Sequence, residues 1–165
     1  MINEERIRAA VYSNAVYLFL NHLKGKHDQS THGKWAGKGS KGDCYESACK
    51  KILYDSEFGG DNVRLVHAEV MGQGSLEGVR FGHAWLEKTE MLDASGLGIK
   101  EKIPFTTVYD FSNGREIIMP KELYYSIAQV STKKEKLVSY TKEEARKKIL
   151  STGIWGHWKE LDVDL

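Results

Sequence analysis

The sequence predicts an α+β fold, with N-terminal helices packed on an antiparallel sheet. Three observations point there. Apolar residues recur every three or four positions up to about residue 54. From residue 63 the period changes to two, and turn signals separate the period-two segments closely enough for hairpins rather than crossovers. At 165 residues the chain is long enough to bury one substantial core.

The elements follow in order. Over 3–24, Ile7, Ala10, Val11, Ala15, Leu18 and Leu23 form a helical stripe with no Gly or Pro to break it. Residues 25–42 hold five glycines and four lysines and read as a long loop or extended arm. A second helix is expected from 43 or 44 to 54, with Asp43 as N-cap and Ala48, Ile52 and Leu53 inward.

Strands are expected at 63–71, 79–87 and 91–94. The first turn holds Gly72, Gln73 and Gly74, and the second Lys88 and Thr89. Further strands at 105–109 and 115–119 would be joined through Ser112, Asn113 and Gly114. Pro120 opens a short helix over 121–130. A last strand at 136–140 leads to a capping box, Thr141 with Glu144, and a helix to about 150 that Gly153 ends. The organisation is a helix (1–24), a basic Gly-rich arm (25–42) and a catalytic domain (43–165) within a single globular unit.

A formal net charge of +1 gives no global pull toward nucleic acid or membrane. Locally, seven lysines between Lys24 and Lys51 face only Asp28, Asp43 and Glu46. No apolar run approaches the roughly 18 residues of a membrane span. The stretch 15–20 lacks a basic leader and a small-residue cleavage site, so no signal peptide is expected. Cys44 and Cys49, five apart, would diverge on one helix; a reducing, cytoplasmic setting with thiols free for chemistry is expected.

Chemistry concentrates in an ordered set: Cys44 at a helix start in GDCYESA, His83 mid-strand in FGHAWLE, and Asp93 at the end of the next strand in MLDAS. A free thiol titrates near ~8.5, and a helix N-terminus favours its thiolate. An imidazole beside it takes the proton and later gives it to a leaving group. If 79–87 and 91–94 pair as a hairpin, His83 and Asp93 stand side by side, and the carboxylate takes Nδ1–H and fixes the tautomer. The Cys44 backbone N–H is the expected oxyanion donor. No cofactor and no metal are called for. The partner expected is a protein or peptide substrate.

This order, Cys at a helix start, then H-A-W-x-E on a strand, then Asp about ten residues on, resembles the papain-like and transglutaminase-like cysteine enzyme superfamily over residues 44–95. The resemblance implies a helix packed on an antiparallel sheet with nucleophile and base across a cleft. It implies hydrolysis or acyl transfer at an amide or isopeptide bond through a thioester. Papain-type enzymes carry a glutamine shortly before the cysteine. Here residues 37–40 read GKGS and the nearest upstream glutamine is Gln29, the candidate second donor. Trp85 and Tyr124 are the other candidates for substrate or oxyanion contact.

The run KHDQSTHGKWAGKG resembles a segment of bacteriophage head-associated proteins, which implies a phage or prophage origin. The competing function is a non-enzymatic accessory or assembly protein touching a partner or nucleic acid through the basic arm; cell-wall hydrolysis is a third reading, ranked below the amide or isopeptide hydrolase as a substrate choice. His27, His32, Cys44 and Cys49 have spacings compatible with zinc, but divergent cysteines suit a tetrahedral site poorly.

Overall fold

A computed structural model describes residues 43–72, 76–93, 95, 98 and 100–158. The expected helix over 3–24 and the arm with His27, Gln29 and His32 lie outside these residues. Contacts divide the chain into two units, one of residues 1–35 with 90–105 and one of residues 36–89 with 106–165.

Among the described residues the fold is α+β: three α-helices and a five-stranded antiparallel sheet. Helix α1, Cys44–Tyr54, is followed by a 3-10 turn at Ser56–Phe58. Strands β1 (Val63–Met71), β2 (Arg80–Asp93), β3 (Lys102–Asp110) and β4 (Ile117–Pro120) come next. Helix α2 (Lys121–Ile127), strand β5 (Leu137–Tyr140) and helix α3 (Lys142–Thr152) complete the chain order, and the sheet order is β4-β3-β2-β1-β5.

Helix α1 turns Cys44, Ala48, Cys49 and Ile52 inward, the four-then-one spacing of a buried stripe. Asp43 occupies the expected N-cap position but makes no side-chain cap there; its carbonyl accepts the Ser47 amide at 2.8 Å instead. Asp55 ends the helix with extended backbone, its carboxylate taking the Glu57 amide at 3.0 Å.

Strand alternation sorts the core into two clusters. Register pairs Leu65 with Leu86 and His67 with Ala84 on one parity, and Val66 with Trp85 and Ala68 with His83 on the other. The first cluster joins Val63, Leu65, Ala84, Leu86 and Tyr109 to Ala48, Cys49 and Ile52 of α1 and Ala145 of α3. The second joins Val66, Ala68, Val70, Trp85 and Val108 to Tyr124 of α2 and Val130. Each fully buried aliphatic side chain contributes about 1.5–3 kcal/mol. With both faces covered, residues 83–87 form a continuous buried run, as expected of an interior strand.

Two expected strands are one. The Lys88–Thr89 turn does not form: the Thr89 amide donates to the Asn62 carbonyl at 3.0 Å and the Asn62 side chain donates to the Thr89 carbonyl at 2.9 Å. These bonds carry β1–β2 pairing past Val63 and Lys88, and β2 runs on to Asp93.

Helix α3 has the expected box: the Thr141 hydroxyl accepts the Glu144 amide at 3.2 Å and the Glu144 carboxylate accepts the Thr141 amide at 2.7 Å. Gly153 closes it at φ 71°, where a side chain would be strained. Thr141→Ala is expected to lower the unfolding free energy by about 1 kcal/mol in denaturant titration. No helix of the described residues is long and apolar enough to cross a membrane.

Candidate active site

Three elements of the larger unit bring the chemistry together. Cys44 is the first residue of α1 and the N-terminal member of its buried stripe. His83 opens the buried run of β2, and Asp110 is the last residue of β3, the neighbouring strand. All three residues are buried, at 8, 8 and 4% exposure.

The His83 imidazole is held from two sides. Its Nε2 is 2.8 Å from Asp110 Oδ2, and it shares a hydrogen bond with the Cys44 side chain. Burial alone pulls the ring down, but the bonds and charges of Asp110 and Cys44 outweigh it and lift the ring to about 9. For Asp110, burial pushes up, but His83, the Ser112 amide and the Tyr124 hydroxyl prevail and bring it to about 2. The His83–Asp110 contact contributes to both displacements.

The carboxylate is fully engaged. Oδ1 accepts the Ser112 amide at 3.0 Å, and Oδ2 accepts the Tyr124 hydroxyl at 2.8 Å beside His83. Burial and the adjacent Asp110 charge keep the Tyr124 proton on its oxygen, far above the usual phenol range.

The carboxylate on the ring is therefore Asp110, where the sequence pointed to Asp93. Residues ten apart on one unbroken strand follow each other along it and do not face each other, so losing the turn at Lys88–Thr89 removes the expected pairing. Within the smaller unit, Asp93 is exposed at the end of β2, and its Oδ1 accepts the Ser95 amide at 2.9 Å. That bond, the largest cause, holds its carboxyl below the usual range. The nitrogen facing the carboxylate is also Nε2, not Nδ1 as expected.

The other sequence candidates are placed as follows. Trp85 is fully buried, and its indole N–H goes to Glu87 Oε1 at 3.1 Å, which leaves no donor for a substrate. Tyr124 already donates its hydroxyl hydrogen bond to Asp110. Gln29 lies outside the described residues. Glu87, buried as well, also accepts Lys121 at 2.9 Å and the Tyr125 hydroxyl. Trp85 packs between these groups, its ring centroid 6.0 Å from His83 and 5.1 Å from Tyr124.

Cys49 differs from Cys44 in kind: fully buried among apolar side chains, its thiol is pushed to about 12 by burial. No group of three His, Cys, Asp or Glu residues suited to a metal occurs among the described residues.

Two further features adjoin the site. Tyr45, next to Cys44, lies against Gly82, next to His83: a Cβ on Gly82 would stand 2.5 Å from the Tyr45 hydroxyl, and one on Gly156 would overlap the Tyr45 ring. His157, at φ 63°, holds Nδ1 3.3 Å from that hydroxyl. His67 sits in an aromatic cage of Tyr45, Tyr140 and Trp158, with ring centroids at 4.8, 5.1 and 4.9 Å. Its buried Nε2 has no hydrogen-bond partner; burial, with His157 adding, pulls the ring down to about 3.

Sequence reasoning missed Asp110 and His67. A signal for Asp110 existed: it ends a period-two strand, on the parity of Val108, and stands two residues before Ser112, the spacing of an Asx turn. No protein-family model, curated protein or solved structure matches the chain.

Proposed function

We propose that the chain is a cysteine-dependent hydrolase or acyl-transfer enzyme acting on an amide or isopeptide bond, of the papain-like and transglutaminase-like kind. The single observation that carries this reading is the hydrogen-bonded run Cys44–His83–Asp110, a thiol at a helix start joined to an imidazole that a buried carboxylate holds.

The chemistry follows from those roles. Cys44 Sγ, its proton on His83, attacks the carbonyl carbon and forms a C–S bond. The oxyanion forms beside the Cys44 backbone N–H, which the first turn of a helix leaves without an intrahelical acceptor. The C–N bond breaks, and His83 protonates the departing amine. A water, or a second amine in a transfer reaction, then attacks the thioester and gives its proton to His83. The acid or new amide leaves, and the thiol is restored. Asp110 stays ionised and steadies the ring throughout.

Alkylation of the wild-type chain with iodoacetamide at pH 7, mapped by peptide mass spectrometry, tests the reading. Cys44 is expected to react about 10²-fold or more faster than Cys49. Burial of Cys49 alone would give some preference, so the deciding measurement is His83→Ala, which is expected to remove most of the Cys44 rate. A Cys44 rate indifferent to His83, or equal labelling of both thiols, sinks the proposal.

A further inference from the structure

A phenol has one proton to donate, and in Tyr124 it is committed. The hydroxyl donates at 2.8 Å to Asp110 Oδ2, the oxygen that His83 Nε2 also contacts at 2.8 Å. Tyr124 is 5% exposed and its ring rests on Trp85, so the donor cannot swing away. At the other oxygen Asp110 has one anchor, the Ser112 amide at 3.0 Å. A single hydrogen bond at Oδ1 is a pivot, about which the carboxylate rotates and Oδ2 moves. A second, rigid donor at Oδ2 removes that freedom.

We propose that Tyr124 is a positioning residue of the thiol–imidazole pair: its hydroxyl locks the rotation of the Asp110 carboxylate so that Oδ2 faces His83 Nε2. It touches neither substrate nor sulfur in this role and acts only through Asp110. The inference deepens the enzyme reading above and rests on it. It also takes Tyr124 out of the oxyanion site, since its only proton points at a carboxylate that is ionised throughout the working range.

Tyr124→Phe tests this directly, because it removes one oxygen and leaves the ring on Trp85. The probes are iodoacetamide alkylation of Cys44 at pH 7 and the His83 titration followed by histidine ring NMR. With the carboxylate free to turn, the Cys44 rate is expected to drop about tenfold, the loss of one hydrogen bond to a charged group. The His83 titration is expected to move down toward the ordinary histidine range. If Tyr124 merely filled space, the melting temperature would move and the titration would not. If it only drew charge from Asp110, the titration would rise. Either outcome overturns the proposal.

A double-mutant cycle adds an independent check. In an Asp110→Asn background, Tyr124→Phe is expected to cost no further alkylation rate, and an additive loss overturns the proposal. Tyr125→Phe, which takes a hydroxyl from Glu87 instead, serves as the control expected to leave the rate unchanged. In the wild type, His83 must show Nε2 protonated against a carboxylate through pH 8, and its absence there overturns the proposal without any variant. Failure of the enzyme reading looks different: the wild-type Cys44 is then itself unreactive, whereas failure of this inference leaves wild type reactive and Tyr124→Phe equal to it.

Discussion

Asp110→Asn is expected to slow alkylation of Cys44 at pH 7 by about 10²-fold, while Asp93→Asn leaves it unchanged. The difference rests on which carboxylate accepts the hydrogen bond from His83. Asp110 supplies the bond and charge that lift the imidazole to about 9 against the pull of burial. Without that charge only the bond and charge of Cys44 oppose burial, and the ring falls back toward or below the ordinary histidine range. At pH 7 the ring then no longer holds the thiol's proton. The variant also turns an amide toward two donors, the Ser112 N–H and the Tyr124 hydroxyl, so lower stability accompanies the rate loss. Equal effects at positions 93 and 110 would remove Asp110 from the site.

The second large effect concerns acid. His67 titrates near 3 in the folded chain and near 6.5 when unfolded. Below pH 6.5 the unfolded chain takes up a proton that the folded chain refuses, so stability is lost as pH falls, until the folded ring also titrates near 3. The full displacement corresponds to a loss on the order of 5 kcal/mol, of which about 3 kcal/mol is gone by pH 4.5. His67→Phe keeps an aromatic ring in the cage of Tyr45, Tyr140 and Trp158 and removes the titration. Denaturant melts of wild type and variant at pH 6.5 and 4.5 are expected to show the variant losing less stability between the two; parallel losses would refute the assignment. His83 has the opposite sign. Raised to about 9, it contributes fully below pH 6.5 and its contribution fades as pH climbs to about 9. The two histidines thus place maximum stability near pH 6.5.

How far the sequence could be read depended on the range of each signal. Short-range signals worked: the inward stripe of α1, the period of β1, the Thr141–Glu144 box and Gly153 all depend on neighbours a few residues away. Cys44 at a helix start and His83 on a strand were legible for the same reason. The turn at Lys88–Thr89 was misread because its block lies elsewhere, in Asn62, 27 residues upstream, which no local pattern reports. Asp110 was missed for a related reason: its bond to His83 spans 27 residues and exists only because β3 lies beside β2. His67 reads locally as one more residue of an apolar strand, and the cage that makes it unusual comes from α1, β5 and the tail.

Tyr45 is the hinge pin between the two halves of the reacting pair. It follows the nucleophile in sequence and rests where Gly82, just before the base, offers bare backbone, while Gly156 leaves room on the other side. The seat of Tyr45 is thus shaped by two missing methyl groups. A methyl at Gly82 meets the far end of Tyr45 and one at Gly156 meets its ring, so either substitution pushes on the residue that follows the nucleophile.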